Sequence, residues 1–198
     1  MISNICKIEP GTRDLDAILK ESEKVAEYNG LTEKQSLQLR LICEEMDGMI
    51  PNIIDDFKGS FWIEFDNGVC KARASIRIPG LDASSKKRLI EVSSNKKNAS
   101  AVGIVGKIRC AIEDYLLNEE AYVSSTSAEL CQPSAGYGEG VDYSYMWSLD
   151  RYRSSADKEA EPIVWDELER SVIASVADDV IVGVKGNLAD IIVVKNFK

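Results

Sequence analysis

The dipeptide Asn67-Gly68 constrains this chain more than any other feature, because it fixes a hairpin and its register together. Asn-Gly between two alternating runs specifies a two-residue type I′ turn, whose twist suits antiparallel strands. Counting outward, Phe65 faces Cys70, Ile63 faces Ala72 and Phe61 faces Ala74 on one side, while Glu64 faces Lys71 and Trp62 faces Arg73 on the other. A slip of one residue would turn every side chain over. The polar side therefore predicts an ion pair between Glu64 and Lys71 and a cation–π contact between Trp62 and Arg73.

Directly before this hairpin lies a long helix. Thr32 followed by Gln35 reads as a capping box, and Leu39, Ile42, Cys43, Met46, Met49, Ile50, Ile53 and Phe57 then recur at helical spacing. A second, shorter stripe of Leu37, Leu41 and Gly48 lies roughly opposite, which predicts a helix sandwiched over its first half. Asp47 and Glu45 fall at the edges of the main stripe, and Glu44 beside the second. Pro51 lacks a donor and crowds the carbonyl of Asp47, so a kink or break is expected there, with carboxylates and a freed carbonyl close together.

With 198 residues, 44% of them hydrophobic and 29% charged, the chain is long enough for a substantial core. A net charge of −9 opposes a broad phosphate-binding surface, so nucleic acid is not expected as a partner. There is no histidine, which removes every His-dependent nucleophile, histidine-ligated zinc and phosphohistidine from consideration. The five cysteines are scattered, without a Cys-x-x-Cys pair, and read as reduced thiols. No apolar run reaches the length of a membrane span, and the expected location is cytoplasmic.

In chain order, residues 2–8 form a strand, residues 12–28 a helix capped by Thr12 and stopped by Asn29-Gly30, then the long helix and hairpin follow. Residues 82–92 read as a short helix, 99–118 as another, 124–141 as a long Ser/Gly/Pro-rich loop, 142–152 as a strand and 151–161 as a charged linker. Pro162 starts a helix to residue 177, and a second hairpin turns at Gly186-Asn187. That hairpin is apolar on one face (Val180, Val182, Val184, Ala189, Ile191, Val193) and still carries Ile181, Ile192 and Val194 on the other. It must join the main sheet, pack under a helix or pair with another copy, so a homodimer is among the expectations. The fold class is α+β, a two-layer sandwich of a mixed, mainly antiparallel sheet with helices on one face. Residues 1–152 form the main domain, and 153–198 a helix and hairpin packed on the same fold.

Two segments carry a family resemblance. Arg40-Leu-Ile-Cys-Glu-Glu-Met-Asp-Gly48 resembles the N-box helix, and Ala101-Val-Gly-Ile-Val-Gly-Lys-Ile108 the glycine-rich box, of the GHKL (histidine-kinase-like, Bergerat-fold) ATP-binding domains, above all the anti-sigma-factor-type serine kinases. The resemblance covers about residues 12–150. It implies ATP and magnesium as cofactors, Glu44 or Glu45 as the activating base, and Asp47 as the one metal ligand, since Gly48 or Met49 stands where the family has its magnesium asparagine. Pro79-Gly80-Leu81-Asp82 stands where its adenine-reading aspartate box should be. Gly103 and Gly106, with backbone amides at a helix start, and Lys96, Lys97 and Lys107 would then attend the phosphates. Together with Asp47 and Gly48 they complete the expected nucleotide site. The implied function is regulatory, through an unidentified protein partner, with an active Mg-ATP-dependent serine/threonine kinase or a nucleotide-free interaction domain as the alternatives.

Overall fold

A computed structural model describes residues 1–11, 14–54, 56–78, 103–117, 145–156 and 171–198. The strands are β1 (Cys6–Ile8), β2 (Lys58–Asp66), β3 (Val69–Arg77), β4 (Tyr145–Ser148), β5 (Asp179–Lys185) and β6 (Leu188–Asn196). The helices are α1 (Leu15–Tyr28), α2 (Glu33–Ile53), α3 (Gly103–Leu117), α4 (Leu149–Ala156) and α5 (Val172–Val176). The strands make one open sheet in the order β1-β2-β3-β6-β5-β4, and every ladder is antiparallel. The mixed sheet expected from the sequence is thus corrected: among the described residues no pair is parallel.

The first hairpin has the register that Asn67-Gly68 dictates. Phe65 faces Cys70, Ile63 faces Ala72, Phe61 faces Ala74 and Trp62 faces Arg73. Asn67 and Gly68 both take positive φ, 50° and 82°, as a type I′ turn requires. On the polar face an ion pair forms along the diagonal: Arg73 Nε lies 3.0 Å from Glu64 Oε2, and Trp62 Nε1–H donates to Glu64 Oε1 at 2.9 Å. One carboxylate thus gathers both neighbours on its face.

The second hairpin lies in the middle of the molecule. β6 runs beside β3 over its whole length, from Val69 opposite Asn196 to Arg77 opposite Leu188, and β5 lies between β6 and β4. Its turn has positive φ only at Gly186 (57°), the pattern of a type II′ turn. Stacking of Phe197 on Phe65, with ring centroids 6.3 Å apart, fastens the far end of β6 to the first hairpin.

The inner face of the sheet and the helices share one apolar core that includes Phe61, Ile63, Ile191 and Val182 from the strands and Ile18, Leu39, Met46, Ile108 and Ile173 from the helices. α2 packs against α1, α3 and α5, which makes it the central helix of that layer. Its capping box is present, with Gln35 N–H donating to Thr32 Oγ1 and Thr32 N–H to Gln35 Oε1. The helix runs two residues past Pro51, to Ile53, so no break occurs there. α1 is capped by Asp14, whose carboxylate accepts from Ala17 N–H at 3.0 Å; Thr12, the expected cap, lies outside the described residues.

At the N-terminal edge the pairing shifts by one residue between Ile2 opposite Glu64 and Cys6 opposite Phe61. The three residues Ser3-Asn4-Ile5 therefore oppose two on β2, which is a β-bulge. Ser3 N–H donates to Ile63 O and Ile63 N–H to Ser3 Oγ, both at 2.9 Å, while Asn4 donates from its backbone and its amide to Glu21 of α1. At the other edge the expected strand over 142–152, of which 142–144 lie outside the described residues, ends at Ser148, and the expected linker is helical to Ala156 in α4. There Ser148 caps α4, its Oγ accepting from Arg151 N–H at 3.2 Å, and Asp179 Oδ1 adds a second acceptor for Asp150 N–H at 2.9 Å. The expected helix over 82–92, the loop over 124–141 and most of the helix over 162–177 lie outside the described residues, of which α5 is the described remainder.

Candidate functional site

α2 sets out the expected carboxylates at three depths. Glu44 is exposed, Glu45 half-buried and Asp47 buried, with 4% of its surface accessible. The cause is helical phase: Asp47 follows Met46 and Cys43 on the side that enters the core, whereas Glu44 follows Leu37 and Leu41 on the side that faces water. A buried carboxylate is retained only when hydrogen bonds or opposite charge compensate it. Glu44 and Gly48, one turn apart, share the solvent face.

That placement corrects the sandwiched helix. Leu37 is 57% exposed, Leu41 half-buried and Gly48 exposed, with nothing within 4 Å of where a Cβ would stand. The apolar pair Leu37 and Leu41 had suggested a second buried side; no described element covers it. Arg40 on the same side reaches α1, where Nη1 lies 2.6 Å from Glu23 Oε1.

The glycine-rich segment arrives on α3. Gly103 is its first residue, Gly106 lies within its first turn and is buried, and Lys107 is half-buried. The N–H groups of a first helical turn have no partner inside the helix, which is the property the expected phosphate role of Gly103 and Gly106 draws on; residues 101 and 102 before them lie outside the described residues. Burial of Gly106 also suits close packing of the helix, and α3 does pack against both α2 and β5. Thus the segments carrying Glu44, Glu45, Asp47 and Gly48 and those carrying Gly103, Gly106 and Lys107 lie on neighbouring helices. Lys96 and Lys97 lie outside the described residues. Among the described residues there is no group of three or more Cys, Asp or Glu side chains arranged to hold a metal ion.

The thiols fit an inert role. Burial, then the neighbouring Cys70 and Cys6, pushes the Cys43 thiol well above its usual range. Burial alone takes Cys70 up to about 12, and burial followed by Glu21 and Asp14 raises Cys6. None of the three is poised to be a thiolate near neutral pH. Two carboxylates that the sequence did not single out carry structural work. Burial pushes Glu21 up, but hydrogen bonds from Lys24 and Asn4 outweigh it and the net shift is downward. Burial raises Asp179 in spite of its bonds from Asp150 and Val180. Each combines a local partner, Lys24 for Glu21 and Val180 for Asp179, with a remote one, Asn4 and Asp150, and the remote half has no signature in spacing.

No helix among the described residues is long and apolar enough to cross a membrane. No family model, curated protein or solved structure matches this chain.

Proposed function

We propose that this protein is a regulatory domain of the histidine-kinase-like ATPase fold that acts by binding a protein partner and holds nucleotide weakly. The observation that carries the reading is the packing of α2 on α3 above one antiparallel sheet. The two segments that resemble the family's nucleotide motifs, remote in sequence, thereby become neighbours. The strand order is consistent with a single sheet that the C-terminal hairpin completes from within.

The donor set argues against a catalytic magnesium ion. Magnesium asks for oxygen ligands in near-octahedral array. At the expected place Asp47 turns into the protein, Glu44 stays in water, and Gly48 has no side chain to offer. Phosphoryl transfer rests on metal and positioning, so the kinase reading loses its main support while partner binding does not. The base role expected of Glu44 or Glu45 has no further support.

Titration calorimetry of the full chain with ATP, with and without magnesium, tests this reading. The expected dissociation constant is on the order of a millimolar or weaker and indifferent to magnesium. Micromolar binding that requires magnesium and disappears in Asp47→Asn would replace this reading with the active kinase.

A further inference from the structure

The solvent side of α2 has a regular pattern that no described element covers. Leu37, Leu41, Glu44, Gly48 and Pro51 follow one another at steps of four, three, four and three residues. That is the spacing of a seam against which a second helix packs. Leu37 is 57% exposed, Glu44 and Gly48 are exposed, and Leu41 and Pro51 are half-buried. The seam is roughly 21 Å long at 1.5 Å per residue.

Gly48 supplies a second observation. Glycine inside a helix is unfavourable relative to alanine. Nothing lies within 4 Å of its would-be Cβ, and its φ is not positive, so among the described residues neither packing nor backbone conformation asks for glycine. A small residue in the seam lets the backbone of another helix come close.

Charge says which helix. Glu44 occupies the centre of the seam, and Glu33 and Glu45 stand beside it. Of the two cations on this part of α2, Arg40 is already engaged by Glu23 at 2.6 Å, and the exposed Lys34 stands at the N-terminal end of the seam, ten residues from Glu44. A second copy of this chain is a poor occupant: a twofold axis through the middle of the seam sets Glu44 against its own copy, and like charges facing each other in a contact are costly. A helix with a lysine or arginine in the middle of its apolar stripe satisfies Glu44 instead.

We infer that the Leu37–Leu41–Glu44–Gly48–Pro51 face of α2 docks an amphipathic helix of a partner protein whose apolar stripe is interrupted by a basic residue. This rests on the partner-binding reading above and names its surface.

The test uses the full chain and a labelled, end-blocked synthetic peptide about three heptads long, with leucine at the seam positions and lysine at the central one and on the flanks. A twin peptide has glutamate in place of every lysine. Fluorescence anisotropy should show saturable binding of the basic peptide and none of the acidic twin. Leu37→Asn and Gly48→Leu, which leave net charge unchanged, should each weaken the basic peptide by about tenfold or more. Glu44→Lys should weaken it too and bring the acidic twin into range. Far-UV circular dichroism and thermal melting of each variant should match the parent or, for Gly48→Leu, exceed it. Equal binding by parent, Leu37→Asn and Gly48→Leu means general attraction to an acidic protein and overturns the inference. So does no binding of the basic peptide, or a homodimer in sedimentation that Leu37→Asn dissociates. Tight, magnesium-dependent ATP binding alongside seam-dependent peptide binding would remove the weak-nucleotide reading and leave this surface standing.

Discussion

The two long hairpins use the same device and live in different surroundings. In β2–β3 the inward residues Phe61, Ile63, Phe65, Cys70, Ala72 and Ala74 are buried, while the outward Ser60, Trp62, Glu64, Lys71, Arg73 and Ser75 are only half-buried. In β5–β6 the inward Val180, Val182, Val184, Ala189, Ile191 and Val193 are buried, but so are the outward Ile181, Ile192 and Val194, which form a second small cluster with Val69 and Met146. All four strands are interior, so hydrogen bonding to neighbours does not distinguish them. The faces do. A strand that alternates tolerates water on one side; a strand apolar on both sides needs cover on both.

Deletion of residues 162–198 should have the largest effect, since it removes β5 and β6 and opens the edge of β3. Gel filtration and calorimetry are expected to show aggregated protein without a cooperative transition; a folded monomeric fragment would mean that the first hairpin, α1 and α2 are self-sufficient. Next, Ile192→Ala on the outer face should destabilise by about 2–4 kcal/mol in urea unfolding, as burial to 4% implies, while Ser75→Ala on the outer face of the first hairpin stays within about 0.5 kcal/mol. Equal small effects would erase the distinction between the faces.

Two glycines sharpen the contrast on a finer scale. A Cβ at Gly59 of β2 would stand 2.6 Å from Ser75 O and 3.1 Å from Ile8 Cγ1, so Gly59→Ala should cost about 1–3 kcal/mol. Gly48→Ala, in open space on a helix, should gain about 0.5–1 kcal/mol. Thermal melts of the two variants should move in opposite directions.

The smallest effect concerns the end of β6. There Asp178 accepts from Lys195 Nζ at 2.8 Å and Asn196 N–H at 2.6 Å. Burial pushes its carboxyl up, but these bonds prevail and the net shift is downward. A folded-state pKa below the unfolded one contributes stability above the unfolded value, near 3.8, and that contribution is lost as pH falls through the folded value. The urea midpoint of the parent should therefore drop more steeply below about pH 4 than that of Asp178→Asn. Parallel profiles would remove Asp178 from the acid response.

Much of the fold was legible where local chemistry decides alone. Asn67-Gly68 specified a register that extends to every pair of β2–β3, and Thr32 with Gln35 specified the start of α2. A second hairpin apolar on both faces announced that it would need cover, with the sheet, a helix or a second copy as candidates, and it lies within the sheet. What escaped depended on remote partners or on competition within one segment. The bulge at Ser3-Asn4-Ile5 owes its bonds to Glu21 and Ile63, which leave no signature in adjacent residues, whereas α4 did have a local cap in Ser148 that the strand pattern over 142–152 masked. Pro51 signalled a kink or break, yet α2 continues for two further residues, the last of them the buried Ile53. At the candidate site, the position of Asp47 at the edge of the apolar stripe left its depth open; a few degrees of helix rotation separate an exposed edge from a buried one. Leu37 and Leu41 misled for the opposite reason, since an apolar pair marks a contact without saying whether that contact is inside the same chain.

The seam between β3 and β6 also sets an order in time. It joins Val69 to Asn196 and Arg77 to Leu188, pairs more than a hundred residues apart in sequence. Closing so long a loop is slow compared with forming either hairpin, whose turns need only two residues. During synthesis the first hairpin is therefore complete long before its neighbour emerges, and one edge of β3 waits unpaired. The alternation of Lys71, Arg73, Ser75 and Arg77 along that waiting strand keeps polar side chains on one of its faces throughout the interval. The strand that arrives last can be apolar on both faces because it is added to a sheet already there to receive it.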